Sequence, residues 1–245
     1  MERIILIETS TALCSVALAE DGKVTAYRES SAPKAHASLT AVFVQEVLEE
    51  RGVKLADCDV VCVSKGPGSY TGLRVGVSTA KGLCFGSGKP LLAVGTLDTL
   101  VAQAAEIADT DVIPSSHNVI PSEVEGSSPY RFIIPMIDAR RMEVYSAVFE
   151  NGKQITETTP VIVDETSYTE YLEQGPVLFI GDGAGKCADV IKHPNAHFCQ
   201  CNPKASAMLA PAIAAYRAGQ FEDVAYFEPF YLKEFVATVS KKKLF

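Results

Sequence analysis

Apolar residues along this chain recur in two patterns, one with the period of a strand and one with the period of a helix. In the first half, an apolar run ending at Glu8 predicts a buried strand, and the alternating residues after it predict a second strand. Further elements follow in the order helix, strand, helix, strand, helix, at 34–51, 60–63, 71–85, 91–94 and from Thr96 onward. Strands that alternate with helices predict an α/β fold.

The second half repeats the opening of the first half. With an offset of 130 residues and no gap, 4–25 align with 134–155, and each copy has an apolar strand ending in an acidic residue, Glu8 or Asp138. Each copy then reaches a turn that reads Glu-Asp-Gly-Lys or Glu-Asn-Gly-Lys, which is typical of a type I′ hairpin. Two hairpins can share turn chemistry by chance, but the matched acidic strand ends favour a duplicated βββαβα unit.

A segment without periodicity separates the two halves. Residues 109–130 contain three prolines and five serines, a composition typical of a surface loop or a disordered insert. We therefore predict an N-terminal lobe at 1–108, this insert at 109–130, and a C-terminal lobe at 131–245. The last lobe is expected to hold a buried strand before the glycine-rich turn at 181–186 and an alanine-rich helix at about 205–218.

Composition narrows the range of partners. The 245 residues are 47% hydrophobic and 21% charged, enough for one large or two smaller domains. The net charge of −8 disfavours direct binding to nucleic acid, because it repels a phosphate backbone. The apolar runs are too short to span a bilayer, so we expect no membrane partner and a cytoplasmic location. Seven cysteines without paired CxxC spacing are expected to be reduced core thiols.

Candidate chemistry is sparse. No stretch satisfies the Walker A spacing, and the turn Gly181-Asp182-Gly183 would either approach a nucleotide's adenosine or simply join a strand to a helix. The triplet Glu8-Thr9-Ser10, at the end of the first strand, would either belong to a loop that binds phosphate and magnesium or be a solvated strand end. We therefore predict a degenerate nucleotide cleft and no catalytic residue. Its members are Glu8, Thr9, Ser10, Asp138, Gly181, Asp182 and Gly183.

His36 does not form a recognisable metal site. A second histidine four residues later would share its helix face, but Thr40 occupies that position. We therefore predict no metal site and interpret His36 as a surface or interface residue.

The stretch "SKGPGSYTGLRVG" precedes and opens a helix in which Gly72, Gly76 and Ala80 recur at a spacing of four. Each glycine costs about 1 kcal/mol relative to alanine inside a helix, so this ridge requires a close compensating contact with another backbone. The preceding helix has more apolar surface than one sheet needs. Both a partner chain and the chain's own core satisfy this pattern.

Four motifs, "IETST", "SKGPGSYTGLRVG", "IDARRMEVY" and "EPFYLKEF", occur in this order over nearly the whole chain and resemble the bacterial TsaB (YeaZ) family. The resemblance implies two ribonuclease-H-like lobes of the actin-like, sugar-kinase and Hsp70-like ATPase superfamily. TsaB proteins are non-catalytic relatives of TsaD, which transfers a threonylcarbamoyl group to N6 of the anticodon-adjacent adenosine of tRNA. TsaD carries a metal-binding pair of histidines spaced by three residues, and Thr40 in the second place fits TsaB.

The same resemblance implies a scaffold that binds TsaD through the two helices of the first lobe, with the ATPase TsaE completing the assembly. It further implies a homodimer in isolation, contact with tRNA only through the complex, and no cofactor beyond weak ATP or ADP binding, mainly in the complex. The insert departs from the family's usual compact form. The implied interface residues are His36, Leu39, Phe43, Val47, Ser69, Tyr70, Thr71, Gly72, Arg74, Val75, Gly76 and Thr79.

Two alternatives stay open. The first is an autonomous actin-like ATPase or kinase, in which Glu8 and Asp138 would hold magnesium across the cleft. The second is a metallopeptidase of the M22 glycoprotease type, the older label of the wider group. The missing phosphate loop counts against the first alternative, and the single histidine at this site counts against the second.

Overall fold

The computed structural model describes residues 2–108 and 129–232, which form two β-sheets and the helices around them. The first sheet has the strand order β3-β2-β1-β4-β5, in which β1 pairs antiparallel with β2 and parallel with β4. Its central strands β1 and β4 contain continuous apolar runs, 4–7 and 60–63, because both faces of the sheet are covered. The strands are Arg3–Glu8 (β1), Cys14–Glu20 (β2), Lys23–Ser30 (β3), Val60–Gly66 (β4) and Leu91–Gly95 (β5).

The second sheet repeats this topology with the order β10-β7-β6-β11-β12, and the short strands β8 and β9 extend it beside β6. As in the first sheet, the central strand pairs antiparallel with its successor and parallel with a later strand. The strands are Phe132–Asp138 (β6), Glu143–Ser146 (β7), Phe149–Glu150 (β8), Lys153–Gln154 (β9), Thr159–Ile162 (β10), Val177–Gly181 (β11) and Ala196–Gln200 (β12).

The matched hairpin turns agree with the predicted duplication. Asp21 and Gly22 in the first sheet, and Asn151 and Gly152 in the second, all have positive φ, as a type I′ turn requires. The shared strand order and the shared turns confirm the predicted α/β fold of two ribonuclease-H-like lobes.

Six α-helices and two 3-10 helices complete the described residues. The first two helices begin and end within about two residues of their predicted positions. None of the helices in the described part of the chain is long and apolar enough to cross a membrane. The α-helices are Ala35–Arg51 (α1), Tyr70–Ser87 (α2), Thr96–Ala108 (α3), Thr169–Leu172 (α4), Ala184–Cys187 (α5) and Leu209–Arg217 (α6), and the 3-10 helices are Leu55–Asp57 and Ala205–Met208.

The helices α1 and α2 cover one face of the first sheet. Their apolar residues, among them Phe43, Val47 and Val77, form one buried cluster with Ile5 and Val63 of the strands. At the start of α2, the Ser69 hydroxyl caps the helix by accepting a hydrogen bond from the Gly72 amide at 3.3 Å. Both helices are thus held by their own lobe.

The C-terminal part of the described chain covers the other face of the first sheet. Met208 and Ala212 are buried against Leu6 and Leu92, and further on the Phe230 amide donates a 2.7 Å hydrogen bond to the Lys65 carbonyl of β4. The prediction that 131–245 forms a single second lobe is therefore wrong for 205–217, which pack on the first sheet. The predicted helix at 205–218 begins as a 3-10 turn and becomes α-helical only at Leu209.

The helix α3 lies between the two sheets, although we predicted it as part of the first lobe alone. Its apolar residues Leu97 and Leu100 are buried against Ile133 and Ile180 of the second sheet. The opposite face of that sheet has a separate core, in which Phe179 stacks on Phe198 with ring centroids 4.9 Å apart. The predicted insert at 109–130 falls outside the described residues except at its last two positions.

Candidate functional site

A cleft of about 660 Å³ lies where the β1–β2 loop faces the β6–β7 loop. The first lobe contributes the β1–β2 loop, the N-terminal turn of α1 and the start of α2, and the second lobe contributes the residues that follow β6 and β11. Its lining residues are Ser10, Thr11, Ala12, His36, Gly68, Ser69, Tyr70, Thr71, Ile137, Asp138, Ala139, Arg140, Tyr145, Asp182, Tyr231 and Leu232.

The β1–β2 loop is held in place by both helices of the first lobe. The Ser69 amide, at the start of α2, donates a 2.6 Å hydrogen bond to the Ser10 carbonyl. From α1, the His36 side chain donates through Nε2 to the Thr11 carbonyl, with 2.9 Å between the two atoms. His36 is therefore a half-buried residue that positions the loop, and it also lines the cleft.

The glycine ridge of α2 packs on this same loop. An added Cβ would lie 2.1 Å from the Thr9 carbonyl oxygen at Gly72 and 2.1 Å from the Thr9 hydroxyl at Gly76. Just before the helix, a Cβ at Gly68 would lie 2.4 Å from the Ser10 carbonyl oxygen. The close contact that the glycines require is thus within the chain, and the interpretation of Gly72 and Gly76 as interface residues is wrong.

Other predicted interface residues divide into two groups. Phe43 and Val47 are buried in the core of the first lobe, so their prediction as interface residues is also wrong, because their side chains cover the sheet. The remaining predicted residues are at least partly exposed: His36, Leu39, Ser69, Tyr70, Thr71, Arg74, Val75 and Thr79. They lie along the outer sides of α1 and α2 and at the N-terminus of α2.

At the N-terminus of α2, three side chains form a stack that leads into the cleft. The Tyr70 and Tyr231 rings lie 4.7 Å apart, and the Arg74 guanidinium lies 5.4 Å from the Tyr70 ring centroid. Arg74 also donates a 3.2 Å hydrogen bond to the Tyr70 hydroxyl. The C-terminal segment of the described chain thereby becomes part of the cleft wall, which the sequence pattern did not predict.

Glu8 lies beneath the cleft and does not face it. Its side chain is fully buried, and one carboxylate oxygen accepts a 2.7 Å hydrogen bond from the Ser10 amide. Burial raises the pKa of the Glu8 carboxyl, and the hydrogen bond from the Ser10 amide opposes that rise. The alternative in which Glu8 and Asp138 face each other across the cleft and hold magnesium is therefore wrong in its geometry.

Three hydroxyl groups near Glu8 have no hydrogen-bond partner among the described residues: those of Thr9, Ser10 and Thr11. Ser10 and Thr11 are also part of the cleft wall, whereas Thr9 lies under it against α2. Buried hydroxyl groups are normally hydrogen-bonded, so the two in the wall could accept or donate a bond to a polar ligand in the cleft.

On the opposite wall, Asp138 is bound to Lys186, and Asp182 is bound to the backbone of Asp138. The Lys186 ammonium donates to the Asp138 carboxylate and, at 2.7 Å, to the Glu143 carbonyl. The Asp138 amide donates to the Asp182 carboxylate at 2.9 Å. Burial, together with the neighbouring Asp138 charge, raises the pKa of the Asp182 carboxyl to about 6. The Lys186 ammonium is thus bound to the Asp138 carboxylate, which a divalent cation would need as a ligand.

Gly181 and Gly183 pack against β6 and β7 behind this wall of the cleft. A Cβ at Gly181 would lie 2.3 Å from the Met136 carbonyl oxygen, and one at Gly183 would lie 2.9 Å from a Val144 methyl carbon. They do not line the cleft, so only Ser10, Asp138 and Asp182 of the predicted cleft residues do. Sequence reasoning missed Arg140, in the motif IDARRMEVY, and Lys186, the last residue of the glycine-rich turn at 181–186. The signal for each was a basic residue close to a predicted acidic one.

The donor set at the cleft does not match a metal centre. Among the residues that the structure describes, no group of three or more histidine, cysteine, aspartate or glutamate side chains comes together. Thr40, at the position where a second histidine would be needed, is buried and donates a 2.6 Å hydrogen bond to the His36 carbonyl. Its side chain is directed to its own helix and cannot be a ligand.

Comparison with known proteins places this fold and cleft in a family. Residues 29–238 match the family model described as TsaD: tRNA N6-adenosine threonylcarbamoyltransferase. The tRNA threonylcarbamoyladenosine biosynthesis protein TsaB of Escherichia coli (strain K12) is 32% identical over 96% of both chains. The tRNA N6-adenosine threonylcarbamoyltransferase of Erythrobacter litoralis is 33% identical, but over 44% of this chain and 33% of its own. The solved YeaZ structure from Pseudomonas aeruginosa is 25% identical and superposes with a TM-score of 0.76, covering 95% of this chain and 100% of its own.

Proposed function

The chain belongs to the TsaB (YeaZ) family of tRNA threonylcarbamoyladenosine biosynthesis proteins, and on that premise we propose that it is a non-catalytic subunit that binds and supports a TsaD-type transferase. The observation that carries this proposal is that the cleft's side chains that are candidates for metal binding or catalysis already have partners within the chain. His36 is held by the Thr11 carbonyl through Nε2, and Asp138 is bound to Lys186. Among the described residues, neither joins a group of three histidine, cysteine, aspartate or glutamate side chains, so the cleft lacks the ligand set of a catalytic metal.

The partner surface that we propose is the exposed side of α2 together with the neighbouring side of α1. Thr71, Arg74, Ser78, Gly82 and Phe85 are exposed at a spacing of three or four residues and therefore form one stripe along α2. Phe85 is 89% exposed, which is unusual for a large aromatic side chain and suggests that a partner covers it. Leu39, Val75 and Thr79 are half-buried beside this stripe.

The other partners follow from the same surface and from the charge of the chain. We propose that a second copy occupies the stripe in isolation, that a TsaD-type subunit displaces it, and that a TsaE-type ATPase then joins the assembly. The net charge of −8 supports contact with tRNA only through the complex, in the cytoplasm where tRNA is modified.

The cleft supports weak binding of ATP or ADP at most, and mainly within the complex. The free hydroxyl groups of Ser10 and Thr11, together with Arg140, offer polar contacts to a phosphate. However, the Lys186 ammonium occupies Asp138, and Glu8 is buried, so no carboxylate pair is left to hold the magnesium of a nucleotide. Calorimetric titration with ADP, with and without the TsaD-type subunit, tests this proposal. Submicromolar binding by the free chain would contradict it.

The partner surface is tested by measuring affinity for the TsaD-type subunit of the same organism. Phe85→Glu places a charge at the C-terminal end of the stripe, on its most exposed apolar side chain, and we expect it to raise the Kd by about tenfold or more. Ile162→Glu is the matched control, because Ile162 is also exposed, at 74%, but lies on β10 of the second sheet. Equal affinities for both variants would show that the stripe is not the interface.

The lack of catalysis is tested with tRNA and a preformed, radiolabelled activated threonylcarbamoyl donor. The chain alone is expected to yield no threonylcarbamoyl-tRNA, and the reconstituted complex is expected to yield it. His36→Ala in the complex should retain product formation, provided that the complex still assembles. Product from the chain alone would overturn the proposed role.

A further inference from the structure

Two of the seven cysteines differ from the rest in their surroundings. Five cysteines, at positions 14, 58, 62, 84 and 187, are buried, as the sequence predicted for core thiols. Cys199 and Cys201 are instead half-buried, one in the last residues of β12 and the other just after it. The strand β12 is an edge strand of the second sheet, so only one of its sides is paired, with β11.

The two thiols lie on the same face of the strand. Residues two apart in a strand point to the same side, and Cys199 and Cys201 both pack against the buried cluster that α3 forms with the second sheet. Two strand residues span about 6.6 Å, which is near the upper limit of the Cα separation in a disulfide. Formation of a disulfide therefore requires the chain to contract at Gln200.

Their protonation favours attack by Cys199. The hydrogen bond from Cys201 lowers the pKa of the Cys199 thiol to about 7, and the same bond raises the pKa of Cys201. By contrast, burial raises the pKa of Cys58 and of Cys187 to about 11. At neutral pH, a large fraction of Cys199 is therefore thiolate, the form that reacts with disulfides.

We propose that Cys199 and Cys201 are a redox-modification site, at which a low-molecular-weight disulfide such as oxidised glutathione generates an intramolecular disulfide. The Cys199 thiolate attacks one sulfur of the oxidant, which forms a mixed disulfide and releases one glutathione thiolate. Cys201 then loses its proton to solvent and attacks the Cys199 sulfur, which forms the Cys199–Cys201 bond and releases the second glutathione thiolate. The oxidant gains two electrons and the protein loses two, so the exchange balances.

The residue between the two thiols connects this site to the cleft. The Gln200 side chain accepts a 2.5 Å hydrogen bond from the Gly185 amide and donates one of 2.8 Å to the Asp182 carbonyl. Contraction of the chain at Gln200 withdraws its side chain from both partners. The turn at Asp182, which also binds the Asp138 amide, thereby loses part of its support. Oxidation thus loosens one wall of the cleft without touching the cleft itself.

The test starts with the reduced full-length protein and oxidised glutathione at pH 7.5. After alkylation of the remaining thiols in denaturant, mass spectrometry is expected to show five alkylated cysteines and one peptide with the Cys199–Cys201 bond, two hydrogens lighter. Seven alkylated cysteines, or a bond between other cysteines, would overturn the proposal. At pH 7, alkylation of native Cys199 is expected to be roughly tenfold faster than alkylation of Cys187, and equal rates would overturn the assignment of the attacking thiol.

Two variants separate the steps. Cys201→Ser removes the second thiol, so a mixed disulfide with glutathione is expected to accumulate on Cys199. Cys187→Ser is the matched control, because it also replaces one cysteine of the second lobe and should still form the disulfide. Absence of the mixed disulfide in folded Cys201→Ser would refute the order of attack. Finally, hydrogen exchange at 182–185 is expected to be faster in the oxidised protein, and unchanged exchange there would refute the link to the cleft.

Discussion

Gly72→Ala and Gly82→Ala are the same chemical change on the same helix, and the structure predicts opposite effects on stability. In both variants, the loss of a helical glycine contributes about 1 kcal/mol of stabilisation. At Gly82 the new methyl group meets no atom within 4 Å, so the full gain is expected. At Gly72 it would lie 2.1 Å from the Thr9 carbonyl oxygen, and the helix and the loop would have to separate by about 1.3 Å to reach the 3.4 Å of ordinary contact.

Overpacking of this kind costs about 1 to 3 kcal/mol, and the upper part of that range applies because a backbone atom cannot rotate away. Gly72→Ala should therefore be destabilised by up to about 2 kcal/mol, and the two variants should differ by about 1 to 3 kcal/mol. Equilibrium unfolding in urea, with circular dichroism as the signal, measures this difference. If Gly72→Ala is as stable as Gly82→Ala, the loop contact does not explain the ridge.

A double-mutant cycle identifies which atom of Thr9 causes the destabilisation. Gly76→Ala would place its methyl group 2.1 Å from the Thr9 hydroxyl, which is a side-chain atom. Thr9→Ala removes that hydroxyl, so it should relieve the cost of Gly76→Ala but not the cost of Gly72→Ala, whose obstacle is the Thr9 carbonyl. Equal relief in both backgrounds would contradict the geometry.

Three further predictions concern pH, metal and the insert. Because the pKa of Asp182 is raised from its ordinary 3.8 to about 6 in the folded state, the folded state loses stability as the pH rises from about 4 to 6, and the loss is constant above that range. The unfolding free energy of Asp182→Asn relative to the parent chain should therefore increase from pH 4 to pH 7, and a flat difference would contradict this. Elemental analysis of the purified protein should show no stoichiometric zinc or iron, since the described donor set cannot form a closed shell. Replacing 115–128, which lie outside the described residues, with a short glycine-serine linker should leave thermal unfolding and partner binding unchanged, because their composition offers little apolar surface. A lower unfolding temperature or a loss of partner binding would show that the segment is a structural element.

The sequence was most informative where one local pattern determines one local structure. The offset repeat correctly predicted both hairpins, because a strand pattern and an Asp-Gly or Asn-Gly turn suffice to form them. The first two helices were predicted to within about two residues, since apolar periodicity is also a local signal. The glycine ridge was recognised as a sign of close packing, but its partner was not determined, because spacing alone does not show which backbone approaches.

Long-range contacts account for the predictions that were wrong. Phe43 and Val47 gave α1 an apolar surface wider than one sheet requires, and only the packing of α1 against the first sheet and α2 showed that both are internal. Glu8 matched Asp138 in the repeat, yet one is fully buried and the other exposed, because α2 covers only the first copy of the loop. Lys186 binds Asp138 across 48 residues of sequence, a separation at which periodicity carries no signal.

The return of the C-terminal residues to the first sheet has a consequence for synthesis on the ribosome. The strands of the first sheet are complete at Gly95, but the face that contains Leu6 and Leu92 is covered only when α6, which ends at Arg217, has been made. At about 5 to 20 residues per second, the intervening 122 residues take roughly 6 to 24 seconds to translate. During that interval the nascent chain exposes a flat apolar sheet face, to which chaperones bind and on which premature chains aggregate. A stop codon shortly before α6 should therefore yield an insoluble product, although it leaves every strand of both sheets intact.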